Sequence, residues 1–240
     1  MEYGLQMWSV RDMAKEQGLE ATLKAVAEIG YKYVEFAGFY GHSAEEVKGW
    51  LDKYGLKCAS THTPWTDLVE DFDGTINYHK TIGAENIVFP SIDTKNPEVV
   101  KIFTDFCKEY IPRAKAEGIN IHFHNHTSEF ALHSDGFMVY PVLEMRTELM
   151  FQPDIYWVYM SHVNPIDLIN RLKDRISIIH VKDGDDNRKS LPLGMGTAPV
   201  AETVALAKKL GYMMIVESDT CDPSGIEEAR ISFEYLKSLE

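Results

Sequence analysis

The sequence predicts an α/β chain closed into a (β/α)8, or TIM, barrel. Short β-type runs alternate with helical patterns eight times along 240 residues, about 30 residues per repeat, the size of one βα unit. Strands that alternate with helices in this way pair as a parallel sheet. The competing open, doubly wound sheet needs a glycine-rich phosphate loop after its first strand, and Met7-Trp8-Ser9-Val10-Arg11 contains no glycine. No linker or shift in composition marks a second domain, so residues 1–240 are expected to form a single barrel domain.

Each element has its own signal. Tyr3 to Met7 is the first strand. Leu19, Leu23, Val26 and Ile29 then recur at helical spacing up to Gly30. Tyr33 to Phe36 is the second strand. A helix from Ser43 to Tyr54 starts in a capping box, Ser43 with Glu46, and stops at Gly55. Leu56 to His62 is the third strand, Thr75 to Ile82 a helix, and Asn86 to Phe89 the fourth strand. A long helix begins at Pro97, carries Val100, Phe103, Phe106, Tyr110 and Ala114 on one face, and ends at Gly118, with Pro112 as an expected kink. Asn120 to His124 is the fifth strand, Tyr140 to Glu148 a weaker helix, and Met150 to Pro153 the sixth strand. Pro165 to Leu172, Val200 to Leu210 and Ile226 to Leu239 read as helices around the strands Ile176 to Val181 and Met213 to Val216.

Charge and cysteine content narrow the function. The chain has 24 basic against 37 acidic residues, a net of −13, which disfavours binding to a phosphate backbone. Cys58, Cys107 and Cys221 form neither a disulfide framework nor a metal-type spacing. With no signal peptide and no apolar run long enough to span a membrane, the expectation is a cytoplasmic protein with no membrane or nucleic-acid partner.

Active sites of such barrels lie at the C-terminal ends of the strands. Gln6, Trp8 and Arg11 follow the first strand, Glu35 the second, His62 the third, and Pro90, Ser91 and Asp93 the fourth. His124, Asn125, His126 and Glu129 follow the fifth, Asp154 and Trp157 the sixth, His180, Lys182 and Asp183 the seventh, Glu217 and Asp219 the eighth. Carboxylates and imidazoles from several strands can surround one divalent ion, Mn²⁺, Mg²⁺, Co²⁺ or Zn²⁺. The absence of cysteine from the set argues against a structural zinc site. His122 shares a strand face with His124 and is read as a buried structural residue, His79 as a surface residue, and the run from Asp183 to Arg188 as a solvated loop.

Several of these segments resemble the sugar phosphate isomerase/epimerase family, whose members share the xylose isomerase-like barrel. They are Gly4-Leu5-Gln6-Met7-Trp8-Ser9-Val10-Arg11-Asp12, Val34-Glu35-Phe36-Ala37-Gly38, Asp154-Ile155-Tyr156-Trp157-Val158 with Asn164-Pro165, His180-Val181-Lys182-Asp183, and Val216-Glu217. His124-Asn125-His126-Thr127-Ser128-Glu129-Phe130 matches the H-N-H-x-x-E-F signature of one branch. The resemblance implies one divalent metal ion held by Glu, Asp, His and Glu from four strands. Asp154, His180 and Glu217 take three of these places. Where many relatives carry the first Glu this chain has His124, so Glu129 is the expected fourth ligand, with His124 or His126 as fallback.

The implied activity is a sugar isomerase or epimerase that removes a proton next to a carbonyl through a metal-stabilised enediolate. Glu129 and Glu217 are the implied acid/base pair, with His126 and Lys182 as alternatives. Glu35 and His62 would hold substrate hydroxyls and Trp8 would pack on the sugar, with His124, Asn125 and Trp157 as further substrate contacts. The partner is thus a small sugar or sugar-derived molecule, and short loops leave the mouth open to a second subunit of a homo-oligomer. A keto-sugar or keto-inositol dehydratase shares the first chemical step and is the main alternative. A non-catalytic sugar-binding barrel is a third reading. An apurinic endonuclease is disfavoured by the net charge, by Trp157 where that class carries histidine, and by the lack of histidine between Asp183 and Gly196.

Overall fold

The apolar runs fold as strands whose alternate side chains face opposite ways, and this alternation sorts the whole interior. A computed structural model describes residues 1–133 and 136–240. Its strands are β1 (Gly4–Gln6), β2 (Tyr33–Phe36), β3 (Lys57–His62), β4 (Asn86–Phe89), β5 (Asn120–His124), β6 (Met150–Gln152), β7 (Ile178–Val181), β8 (Asp183–Gly184), β9 (Ser190–Leu191) and β10 (Met213–Val216). Eight of them form one parallel sheet in the order β6-β5-β4-β3-β2-β1-β10-β7. Bridges from Phe151 to Ile176 and from Asp154 to His180 join its two edges and close the barrel.

Residues on the outer faces, such as Val34, Phe89, Phe123 and Ile179, belong to the large core beneath the helices. Phe103 and Phe106 of the long helix Pro97–Ala116 pack there against Phe89 and Phe123, with ring centroids 5.7 to 5.8 Å apart. The inner face is different. A small apolar plug of Ala59, Ile178 and Ile215 fills its lower part. One step further along the strands the inward residues are Gln6, Glu35, Ser60, Gln152 and His180, all fully buried. A shift of register between Val34 and Glu35 sets Glu35 opposite Ser60, so Ala59 is the extra residue of a bulge. The barrel is therefore packed with polar groups just below its mouth.

Three helices escape the sequence patterns: Arg11–Gln17, Trp65–Glu70 and Ile155–Met160. Each is no longer than two turns, too short to display a helical period. The helix expected from Thr75 begins at Phe72, where the Asp71 carboxylate accepts the Gly74 amide at 2.9 Å. No described helix is long and apolar enough to cross a membrane.

The run from Asp183 to Arg188 is solvated at Asp186, Asn187 and Arg188, as its composition suggests, but not at its start. Asp183 is buried, and its carboxylate accepts the amides of Gly184, Gly194, Gly196 and Ala198 at 2.9 to 3.1 Å. A Cβ at Gly196 would lie 2.2 Å from Asp183 Oδ1, so only glycine permits this approach. Asp183→Ala removes the acceptor of four amides, one of them buried, and should cost roughly 2 kcal/mol. Urea unfolding reads this directly, and a loss below about 0.5 kcal/mol would show that the carboxylate does not organise the loop.

Candidate active site

Glu35 sits on the barrel axis with no solvent contact. Burying a carboxylate costs several kcal/mol unless donors surround it. Here Gln6 Nε2 donates to Oε1 at 2.6 Å and Gln152 Nε2 donates to Oε2 at 2.5 Å. Ser60 Oγ also donates to Oε2, and His180 Nε2 meets Oε1 at 2.5 Å. His62 Nε2 lies 3.1 Å from the same oxygen. Burial pushes the Glu35 carboxyl up, but His62 and His180 outweigh it and hold the group well below its ordinary range.

With Nε2 fixed on Glu35, the other ring nitrogen of His180 points at Glu217, Nδ1 to Oε2 being 3.0 Å. Burial opposes charge on this ring, yet Glu35 and Glu217 on either side raise its pKa to about 10. Glu217 is likewise pushed up by burial and pulled well below its usual range by Lys182 and His180. Lys182 is fully buried. It bonds Asp219, stands 3.3 Å from Glu217 and 3.8 Å from Asp154, and burial is overcome by these carboxylates, which keep it protonated.

His124, Asp154, His180 and Glu217 each offer one donor atom within 4.8 Å of the others, and all four are buried. His124 Nδ1 and Asp154 Oδ2 have no hydrogen-bond partner in the protein. Burial pushes Asp154 up to about 7, while His124 is driven well below its ordinary value by burial and by the neighbouring His180 and His62. A neutral imidazole with a free nitrogen, a carboxylate oxygen without donors, and two more donors aimed at one point fit a divalent cation. His62 can also join His124 and His180, although its Nε2 already faces Gln152 Oε1 at 2.9 Å.

Several expected roles change. Glu129 does not reach this set: its Oε2 accepts the His126 amide at 2.9 Å and the Ser128 hydroxyl at 3.1 Å, tying it into its own turn. His124, which ends β5, stands with Asp154, His180 and Glu217 instead. Glu35 has no room for a substrate hydroxyl, because its oxygens already serve four donors. Lys182 is not poised as a neutral base, because the acidic groups around it stabilise its charge. Asn125 is fully buried with Oδ1 accepting the Asp154 amide at 3.3 Å, so it positions Asp154 rather than lining the cavity. Trp157 lies behind Lys182, whose Nζ is 4.8 Å from its ring centre.

Trp8, His62, His124, His126 and Glu217 do line one open cavity of about 670 Å³ at the barrel mouth. His79, expected on the surface, is buried beside it, with Nε2 2.7 Å from the Thr61 hydroxyl and Nδ1 donating to Thr75 O at 2.6 Å. Gln6 and Gln152 are the lone polar residues of the short apolar strands β1 and β6, a signal that marks them as partners of a buried polar group, whereas Ser60 stands in the largely polar strand β3 and carries no such signal.

Two outcomes follow for ion binding. Glu35→Gln should lower affinity for Mn²⁺ about 10- to 100-fold, because a partner that orients His180 is weakened. Titration calorimetry checks this, and unchanged affinity would detach Glu35 from the site. Binding must also displace the proton held on His180 Nδ1. Affinity should therefore fall as pH falls, by about tenfold per pH unit for each proton released. Equal affinity at pH values two units apart would contradict the assignment of His180.

Comparison with known proteins bears on the fold and the family. The chain is 25% identical to inosose dehydratase of Clostridium beijerinckii across 72% of its own length and 65% of that protein's. It spans no more than 65% of the length of the curated relatives it matches. The crystal structure of a sugar phosphate isomerase/epimerase from Parabacteroides distasonis superposes with a TM-score of 0.82 at 21% identity, covering 99% of this chain and 93% of the other. The zinc-bound IolI protein gives 0.74 at 15% identity, covering 100% and 98%. Residues 23–239 match the xylose isomerase-like TIM barrel family, and the chain belongs to it.

Proposed function

We propose that the protein is a divalent-metal-dependent isomerase or epimerase of sugars, acting by proton transfer at a carbon next to a carbonyl. The observation that carries this reading is the buried set His124, Asp154, His180 and Glu217, opening on a sugar-sized cavity at the C-terminal end of the barrel. A divalent ion held by the four groups supplies Lewis-acid polarisation of a carbonyl. Two imidazoles among the donors favour Mn²⁺, Co²⁺ or Zn²⁺ over Mg²⁺.

The protein's own groups handle the proton. Glu217 and His126 both line the cavity, and their parent strands β10 and β5 lie three places apart round the barrel. They can therefore address different faces or neighbouring carbons of one substrate. Burial lowers the proton affinity of His126 despite Glu217 nearby, so it is neutral and able to accept a proton at neutral pH. Glu217 is kept ionised by Lys182 and His180. Trp8 is 43% exposed on the rim and presents a flat apolar face on which a sugar ring can pack.

The similarity to an inosose dehydratase supports a second reading. Proton removal next to the carbonyl is common to both. Loss of the adjacent hydroxyl as water, instead of proton return, makes the outcome a dehydration. A mass loss of one water in the product separates the two.

Keto-sugars and keto-inositols incubated with Mn²⁺ in deuterated water should exchange the proton next to the carbonyl. Glu217→Gln and His126→Asn should each slow turnover by roughly 100-fold or more. Wild-type rates in both variants would move the acid and base elsewhere, and absence of exchange in the wild-type protein would remove this function.

A further inference from the structure

Helix Phe72–Ile82 buries Ile76, His79 and Ile82 along one face. Two of these are the apolar residues such a face needs. The third is an imidazole that the proposed chemistry does not use. A buried polar ring costs free energy unless it is bonded, and His79 is bonded at both nitrogens. Nδ1 meets the Thr75 carbonyl at 2.6 Å. A carbonyl only accepts, so the proton sits on Nδ1 and Nε2 is an acceptor. Burial lowers the proton affinity of this ring despite the Thr75 carbonyl, in keeping with the neutral form. Nε2 then takes the Thr61 hydroxyl at 2.7 Å and lies 3.2 Å from that of Thr63, and the two hydroxyls are 2.9 Å apart.

Thr61 and Thr63 flank His62, the last residue of β3. Strand alternation sends the Thr61 side chain away from the barrel axis and that of His62 towards it. On the inner side His62 Nε2 lies 2.9 Å from Gln152 Oε1 and 3.1 Å from Glu35 Oε1, and its ring stacks on that of His180 with centroids 5.2 Å apart. Both oxygens are acceptors, so Nε2 carries the proton. In that tautomer Nδ1 is an acceptor, on a residue that lines the cavity. The strand end is weakly tied on the β4 side. It meets β4 through two residue pairs, Thr61 with Ile87 and His62 with Val88, where β4 and β5 meet through four. One imidazole outside the barrel thus grips both neighbours of His62 where the sheet holds them least.

We propose that His79 is a positioning residue, which through Thr61 and Thr63 fixes the place and tautomer of His62 and so the acceptor that His62 offers to a substrate hydroxyl. His79 itself lies in the cavity wall. Both its nitrogens are taken, so it acts through the threonines. The kinetic consequence rests on the proposed proton-transfer function, whereas the placement of the His62 ring rests on the hydrogen bonds alone.

Two readouts test this. The first is the imidazole ¹⁵N spectrum of the metal-free protein, with the His62 signals assigned by their loss in His62→Ala. His62 should show the Nε2–H tautomer alone in the wild-type protein and a mixture of both tautomers in His79→Leu. The second is proton exchange by the Mn²⁺-loaded protein, with the fastest-exchanging ketone of the screen as substrate. His79→Leu should raise KM about tenfold and leave kcat within about threefold. His79→Gln, which keeps an acceptor for the threonines, should stay within about threefold of the wild-type KM, and Thr61→Val should raise KM about threefold. In the His62→Ala background His79→Leu should add less than about twofold, because both act through one group. An unchanged His62 signal in His79→Leu, a His79→Gln as impaired as His79→Leu, or full addition of the His62→Ala and His79→Leu effects would overturn the inference and leave the proposed function standing. Absence of exchange in the wild-type protein would remove the proposed function, and the His62 signal alone would then decide the inference.

Discussion

A carboxylate with no access to water stays ionised only if the protein surrounds it with donors, and Glu35 is where this chain meets that constraint. Its partners come from β1, β3, β6 and β7, half the strands of the barrel. Removing the carboxylate would leave those donors facing one another in a site closed to solvent, at a cost of the order of 3–5 kcal/mol. The same contact that satisfies Glu35 orients the His180 ring. With Nε2 fixed below, Nδ1 faces upward to Glu217, and the mouth of the barrel acquires its donor set. Structure and proposed chemistry thus meet in one imidazole.

The charges above Glu35 form a second tier with its own balance. Lys182 lies among Asp154, Glu217 and Asp219, and its buried ammonium holds these three carboxylates together at the barrel mouth. Glu228 steadies the wall that carries Glu217 and Asp219: it is buried and accepts the hydroxyls of Ser218 and Thr220, both at 2.6 Å.

Much of this was legible in the sequence. The strand–helix rhythm names the barrel, and the segregation of polar residues to strand ends names its mouth, because both depend on local period and on chain order. Among the strand-end residues, it is the family resemblance that singles out Asp154, His180 and Glu217. Glu129 illustrates where such reasoning fails. A carboxylate five residues past a strand end can reach a metal or can cap its own turn, and spacing does not distinguish these. Here Ser128 and the His126 amide capture one of its oxygens, and His124 is the residue grouped with Asp154, His180 and Glu217. Glu35 looked like a substrate contact because sequence shows the end of a strand but not its depth in the barrel. The Val34/Glu35 bulge, which turns it onto Ser60, has no signature in composition. His79 is hidden for a similar reason, since the hydroxyls that hold it, Thr61 and Thr63, lie on a different element.

The central claim is that Glu35 aims His180 into a four-residue cation site completed by His124, Asp154 and Glu217. A crystal structure of the protein grown with Mn²⁺, with anomalous scattering to locate the ion, tests it most directly. The account predicts one anomalous peak bound by His124, Asp154, His180 Nδ1 and Glu217, with Glu35 still on His180 Nε2. A peak coordinated by Glu129, or no ion at the barrel mouth, would contradict it.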